Sequence, residues 1–497
     1  MNIKCKFFMN SAGFFTPFKH SPQLVKIIAL FLILLFLAGQ YLQRNTGYAD
    51  NGDFRRVNQL FTDSPVGFSA QTPEPGTPER AIRYYNYWLP EWNFRPSIPS
   101  IYSAFSSMIL LWIPGALINY FFISSTIVYM VVLSIFPRLL VGLCIFFLIV
   151  YFSGFRRYTY FLLAAIVLPL VLLLSAGDYA AYFNSFYQES GSLVYFLLLV
   201  TWFLLRGKFT NKQFTAIGYG LLFLLTIAKT SNFYFPFLFI PLLFDLKKAW
   251  QNPKWAVLIL VLTLLPVIFT IQFVGDRGAA NRYNSLFFGV LVSSEHPEQR
   301  LKEIGITDPD AIKCRTGFFS ARGTACYKKY QDKVSLKSIG TFILHEPKIL
   351  IHHAERLANT MQKTDNGRGK YAPGVEAPRN EILYNGWALL KQTYFPQGWT
   401  FYWLLLAEVL IAFFLKWSSS HRLVQDLSTL NLILILACWL DMWIAIFGDG
   451  IADLVKHLFL VNIMSDLSIL FTLAMVGIAL FESGIFQPHN PGSAPNE

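Results

Sequence analysis

Charged residues are scarce in this chain. Asp, Glu, Lys and Arg make up only 14% of its 497 residues, whereas hydrophobic residues make up 54%. Soluble domains carry roughly 25% charged residues. The shortage excludes soluble, disordered and coiled-coil proteins and indicates a chain that crosses a membrane many times. The formal net charge of +12 does not indicate nucleic-acid binding, because the basic residues lie scattered at the ends of apolar runs.

Cysteine is scarce as well, and five residues are too few for a disulfide scaffold. Cys144 and Cys438 lie inside apolar runs, where we expect small buried side chains. Cys314 and Cys326 lie in the one long polar segment and can pair if that segment faces an oxidising compartment. Metal binding would need more ligands than this segment offers.

Several nucleotide and catalytic motifs are absent from the sequence. It has no P-loop, no dinucleotide fingerprint, no His-Glu-x-x-His motif and no Gly-x-Ser-x-Gly elbow. Nucleotide-driven transport therefore has no support. No internal repeat is visible either, which disfavours a transporter built from inverted halves.

What the sequence does contain is a series of apolar runs, each close to the roughly 20 residues that span a bilayer. They lie at 24–41, 137–153, 159–175, 191–206, 213–228, 233–245, 255–273, 399–416, 424–445 and 459–481. The region 101–136 is also apolar but contains Pro114 and is followed by Pro137. We therefore predict an all-α polytopic membrane protein with about ten to twelve transmembrane helices.

The short loops carry charge on one side only. Lys and Arg lie in the loops after 153, 206, 245 and 416, whereas the loop 176–190 has none. By the positive-inside rule, we expect both termini to be cytoplasmic and the segments 42–100 and 276–398 to lie outside.

The predicted organisation has four parts. They are an N-terminal transmembrane module (1–275, including the outer loop 42–100), an extracytoplasmic domain (276–398), a C-terminal transmembrane module (399–482) and a cytoplasmic tail (483–497). We expect the small outer domain to be mainly helical. Its segment 336–360 has an apolar helical face interrupted by Pro347, formed by Ile339, Phe342, Ile343, Leu350, Ala354 and Leu357.

Unusual polar groups gather at the predicted outer ends of the spans. The first outer loop contains Asp50 and Asp53, followed by Arg55 and Arg56. Paired acids suit a general base, and arginines suit a phosphate. The structural alternative is that Asp50 or Asn51 caps a helix. The spacing of the apolar residues Phe54, Val57, Leu60 and Phe61 predicts an amphipathic helix along the membrane surface.

Further candidates follow in the other outer segments. The segment 178–190 mixes aromatic rings with Asn184 and Glu189, which suits sugar binding but also fits an interfacial aromatic belt. Lys229 can contact a ligand or extend harmlessly to the interface. Asp441 lies just within the membrane. Lys456 and His457 can hold a lipid phosphate, although Lys456 can equally pair with Asp453 at helical spacing.

Four strings resemble bacterial surface-glycan hexose transferases of the GT-C superfamily of polytopic glycosyltransferases. They are DNGDFRRV (50–57), NSFYQE (184–189), RYNSLFFGVL (282–291) and the turn 448–457. The resemblance implies a GT-C-like fold, a polyprenyl-phosphate-linked sugar as donor and a glycan or lipid-linked acceptor. It implies catalysis by Asp53 or Asp50, with Asp53 favoured, and a second acid at Glu189. The usual Asp-x-Asp or Asp-Glu pair is absent, which leaves open whether Mg²⁺ or Mn²⁺ takes part.

The implied reaction is an inverting transfer of a hexose on the extracytoplasmic face, with a first-loop carboxylate as base. Its substrate-binding candidates are Arg55, Arg56, Asn184, Tyr187, Lys229, Arg282, Asp449, Lys456 and His457. One alternative is an O-antigen polymerase or ligase, which would depend on outer-loop arginines and histidines. A lipid-linked sugar flippase or transporter would line the membrane midplane with charges, which the spans have few of. A non-catalytic scaffold would tolerate loss of every acid named above.

Overall fold

The structure is a computed structural model that describes residues 21–483 except 70, 72, 74–76, 97–105, 245–250, 273–276, 316–324, 366, 368 and 376–380. The predicted cytoplasmic tail lies outside the described residues but for Ser483. Each of the ten predicted apolar runs corresponds to a helix. The region 101–136 adds the helix Met108–Phe122.

Within the described part, seven helices are long and apolar enough to cross a membrane. They are Pro22–Leu42, Met130–Ser153, Gln188–Lys208, Pro253–Gln272, Trp399–Ser418, Arg422–Asp449 and Phe459–Glu482. An eighth is the pair Thr159–Ser175 and Gly177–Phe183, bent by 66°. The predicted ten to twelve crossings are reached only with the shorter or more polar helices Met108–Phe122, Asn211–Ala228 and Thr230–Leu243. The chain is an integral membrane protein of the predicted helical class.

Local sequence signals explain where several helices begin. Pro22 occupies the first turn of the first helix, and the Ser21 hydroxyl accepts a hydrogen bond from Leu24 N (3.3 Å). Thr210 and Gln213 form a reciprocal capping box at the start of Asn211–Ala228. These caps satisfy backbone N–H groups that the helix itself leaves unpaired.

A small antiparallel sheet departs from the all-α prediction. Its strands are β1 (Thr62–Pro65), β2 (Glu91–Phe94) and β3 (Ile127–Tyr129), in the order β1-β2-β3. Trp92 pairs with Val128, and both side chains are buried. The strands are too short for alternation to identify them, so sequence periodicity missed this sheet.

The segment between the Pro253–Gln272 and Trp399–Ser418 helices is mainly helical, as predicted. Its described α-helices are Arg277–Ser285, Pro297–Glu303, Ala325–Tyr330, Leu336–His345, Lys348–Thr360 and Glu381–Tyr394. Pro347 separates the two helices of the segment 336–360, and Ile339, Phe342, Ala354 and Leu357 are buried. A second hydrophobic core, distinct from the membrane core, extends from Tyr283 to Ile349. Cys314 and Cys326 form a disulfide beside this core.

Two expectations about polarity are wrong. The amphipathic helix after Asp53 is one turn only, Arg55–Asn58. Phe54 and Val57 are both buried in the main core. The Phe54 ring packs on Tyr187 (ring centroids 4.8 Å apart), so this side chain contacts protein. The spans are also less free of charge than expected, since four acids inside the last three helices are buried: Glu408, Asp426, Asp441 and Asp466.

Candidate functional site

The first loop, residues 43–54, is fixed by backbone hydrogen bonds to two distant segments. Ala49 N donates to Gly369 O (2.9 Å), and Tyr85 N donates to Asp50 O (2.9 Å). A Cβ at position 369 would lie 1.8 Å from Asn86 O, so this close approach requires glycine. The backbone at Asp50 therefore has a defined position.

Asn184 and Tyr187, predicted to bind sugar, hold this loop in place. Asn184 Nδ2 donates to the carbonyls of Thr46 (2.6 Å) and Gln43 (3.0 Å), and its Oδ1 accepts from Arg138 (2.9 Å). The Tyr187 hydroxyl donates to Ala49 O (2.6 Å). Both side chains are buried, so their polar atoms serve the protein interior.

Asp50 caps the turn that follows it. Its Oδ1 accepts from the backbone N–H groups of Gly52 (2.6 Å) and Phe54 (3.2 Å), as the structural alternative predicted. Burial raises the pKa of Asp50 to about 7, although these two hydrogen bonds oppose the rise. Among the described residues, its Oδ2 has no hydrogen-bond partner. Asp50 thus combines a fixed position with a pKa suited to proton transfer.

Asp53 lies in a different environment. Its Oδ1 is 3.0 Å from Arg56 Nη2, and its Oδ2 is 2.5 Å from Lys456 Nζ. Burial raises the pKa of Asp53, but Arg56, Lys456 and His457 lower it by more, so it stays well below its usual range. Asp53 is therefore a permanent carboxylate with both oxygens in ion pairs.

The last loop, residues 450–458, places Lys456 in contact with Asp53, which is 403 positions earlier in the sequence. Gly450 and Asp453 adopt left-handed backbone conformations (φ 63° and 46°), which fold this loop tightly before the turn Leu454–His457. Lys456 Nζ also lies 3.6 Å from Asp453 Oδ2. Burial lowers the pKa of Lys456, but Asp53, Asp453 and Glu189 raise it by more, so the ammonium is retained.

Glu189 and Lys229 form a second buried ion pair, with Nζ and Oε1 3.2 Å apart and side chains only 4% and 9% exposed. Glu189 lies in the first turn of its helix, where a carboxylate complements the helix dipole. Arg56 Nη1 donates to the neighbouring Gln188 (3.4 Å), which connects the two pairs. We call Asp53, Arg56, Glu189, Lys229, Asp453 and Lys456 the site cluster.

The remaining candidates lie around this cluster or away from it. Asp449 accepts from Asn284 Nδ2 (2.6 Å), and its other oxygen is 3.1 Å from His457 Nε2. Arg55 is exposed and pairs with none of the described residues. Arg282 Nε donates to Val334 O (3.3 Å), and Arg282 has no ion pair with a residue of the site cluster in the described part.

Comparison with known protein families assigns the chain to one of them. The family model described as the YfdI N-terminal transmembrane domain matches residues 9–484. The chain belongs to this family. No curated protein and no solved structure matches it.

In this YfdI-family chain, Asp53 does not fit the divalent cation that the sequence left open. Both oxygens of Asp53 are taken by cations of the protein. Within the described ranges, no group of three or more His, Cys, Asp or Glu is arranged to hold a metal ion. The geometry instead provides a lysine and an arginine beside this carboxylate.

Sequence reasoning missed some members of this YfdI-family site. Asn51 Nδ2 donates to Asp453 Oδ2 (2.6 Å), so the motif DNGD joins the two loops through its amide as well as its acids. The sequence predicted Asp453 only as a helical partner of Lys456. For both Asn51 and Asp453, the signal was a polar residue inside one of the four quoted segments. Asp441, which the sequence did single out, is buried near the charge of Lys229.

Proposed function

We propose that this protein transfers a sugar, specifically a hexose, from a polyprenyl-phosphate donor to a surface-glycan acceptor. The transfer takes place on the extracytoplasmic face of the bacterial inner membrane. One observation carries the proposal: Asp53 of the first loop, three residues after Asp50, meets Lys456 of the last loop where the membrane helices end. The site thus has both an acid for the acceptor and cations for a phosphate. Membership of a transmembrane-domain family agrees with a lipid-linked substrate.

Asp50 is the better base of the two acids. Its pKa of about 7 makes the carboxylate available near neutral pH and basic enough to take a hydroxyl proton. The acceptor oxygen attacks the anomeric carbon, and its proton passes to Asp50 as the new C–O bond forms. The bond between that carbon and the phosphate oxygen breaks as the new bond forms, and its electron pair leaves on the phosphate oxygen. Attack on the face opposite the phosphate inverts the configuration.

The departing phosphate needs positive charge beside it. Lys456 and Arg56 are positioned by their ion pairs with Asp53. Arg55 is exposed and has no ion-pair partner in the described part. A phosphate would compete with Asp53 for these cations, and charge-assisted hydrogen bonds to it strengthen as the bond breaks. Asp53 therefore positions cations, and His457, oriented by Asp449, is a further donor.

The test compares Asp50→Asn and Asp53→Asn in cells that make the glycan, with protein quantities matched by immunoblot. We expect both variants to lose transfer, Asp50→Asn completely and Asp53→Asn in part. Normal glycan in both variants at normal protein quantity would refute the proposal. Arg282→Ala is the comparison variant, because Arg282 hydrogen-bonds Val334 O and forms no ion pair with the site cluster in the described part. Loss of glycan in Arg282→Ala alone would instead indicate a polymerase or ligase.

A further inference from the structure

Lys456 occupies the space between two carboxylates that come from opposite ends of the chain. Its Nζ lies 2.5 Å from Asp53 Oδ2 and 3.6 Å from Asp453 Oδ2. The ammonium also lies 5.4 Å from the centre of the Tyr187 ring, which adds a cation–π contact. Only 4% of the Lys456 side chain is exposed. This lysine is therefore a fixed part of the site.

A divalent cation would bind the same carboxylate oxygens of Asp53 and Asp453. Mg²⁺ binds one or two carboxylates together with substrate phosphates, which is the set that Asp53, Asp453 and a lipid phosphate would offer. That position is already filled by the Lys456 ammonium. A metal ion could use both carboxylates only after Lys456 had moved away.

The charges of the site cluster also balance without a metal. Among the described residues, the carboxylates of Asp53, Asp453 and Glu189 face the cations of Lys456, Arg56 and Lys229. A divalent ion bound to these oxygens would have to displace a protein cation from its carboxylate. That cation would then lack its partner in a largely buried place, which is costly because burial removes its hydration.

We propose that Lys456 takes the place of a divalent cation between Asp53 and Asp453, so that the protein handles its phosphate substrate without a metal ion. The phosphate part of this inference rests on the proposed function. When the donor phosphate enters, the Lys456 ammonium supplies the charge that a metal would supply elsewhere. Lysine suits this task because its ammonium is a compact point charge.

The experiment measures Mn²⁺ uptake by electron paramagnetic resonance, with the full chain in phosphatidylcholine nanodiscs. We expect the wild-type protein to take up none at this site. Lys456→Ala opens the two carboxylates and should bind one Mn²⁺ per chain. The double variant Lys456→Ala/Asp53→Asn should lose that uptake again.

Lys229→Ala is the matched control, because it breaks the ion pair with Glu189 and leaves Lys456 between Asp53 and Asp453, so it should not create a Mn²⁺ site there. If Lys456→Ala fails to give a monodisperse protein, Lys456→Gln replaces it. Uptake by the wild type that Asp53→Asn removes would overturn the proposal, as would no uptake by the Lys456 variant. The assay contains no sugar substrate, so its outcome is separate from the failure of the proposed transfer.

Discussion

The site cluster and the segment 295–348 both contain ion pairs, but these pairs differ in separation and burial. In the segment 295–348, Lys313 and Asp310 are three residues apart, 2.7 Å from each other and 76% and 69% exposed. In the site cluster, Lys456 and Asp53 are 403 positions apart and largely buried. Water screens the first kind, which therefore contributes little. The second kind fixes two distant loops, because an unpaired buried charge is costly.

The largest expected effect is on the transfer rate, and it tests Asp50 as the general base. Asp50→Asn should lower the transfer rate by about 10²–10⁴-fold, since general base catalysis contributes this much. Wild-type transfer should rise with pH and level off above about pH 7, as Asp50 loses its proton. Transfer measured with purified protein in nanodiscs checks both. A wild-type rate that does not change through this range would contradict the assignment of Asp50.

The raised pKa of Asp50 also predicts a change in stability. The folded state holds the Asp50 proton more tightly than the unfolded state, so this residue's contribution to stability is lost as pH rises from its ordinary pKa of 3.8 to about 7. Asp50→Asn should remove this dependence, which makes it a control for the pH profile of the wild type.

The next largest effect is expected on stability, from the buried ion pair of Lys229 and Glu189. Lys229→Met leaves Glu189 without its cation and should lower the free energy of unfolding by about 3–5 kcal/mol. The double variant Lys229→Met/Glu189→Gln should recover much of that loss, because no buried charge is then unpaired. Unfolding in mixed detergent micelles measures both. Equal losses in the single and the double variant would show that the charge itself is not the cause.

A smaller effect is expected from the disulfide between Cys314 and Cys326 in the segment 295–348. Replacing Cys314 and Cys326 by Ser should destabilise that segment by about 2–4 kcal/mol, since the bridge closes a short loop with a separation of 12 residues. The loss should be confined to this segment, where limited proteolysis can detect it. Equal loosening of the membrane helices would show that the second core is not independent of the first.

The smallest effect is expected at the exposed pair. Lys313→Ala should leave both stability and transfer unchanged within error, because Lys313 and Asp310 are already solvated. The same two assays check this. A clear loss would erase the contrast between the two kinds of ion pair.

Much of the fold could be predicted because apolar runs act locally. A run such as 459–481 has to form a helix in a membrane whatever surrounds it, since only a helix satisfies its backbone there. The two helices on either side of Pro347 followed from periodicity in the same way. The small sheet was missed because each of its strands is three or four residues long and is stabilised by its neighbours.

The sequence also suggested which residues belong to the site, but not how they pair. Asp53 and Lys456 were separate candidates, and nothing in their local sequence indicated that they would touch. Asn184 and Tyr187 are residue types that bind sugars, and the sequence predicted that role for them. In the structure they hydrogen-bond the first loop. A polar side chain next to a membrane helix can serve a ligand or the protein, and its neighbours determine which.

By itself, the sequence determined that this is an integral membrane protein with mostly helical spans and polar groups gathered at span ends. These properties depend on the hydrophobicity of successive residues, which is a local quantity. Only the tertiary structure decided that Asp50 has a raised pKa while Asp53, three residues later, has a lowered one. The reason is that burial and the approach of Lys456 depend on parts of the chain that are distant in sequence and adjacent in space.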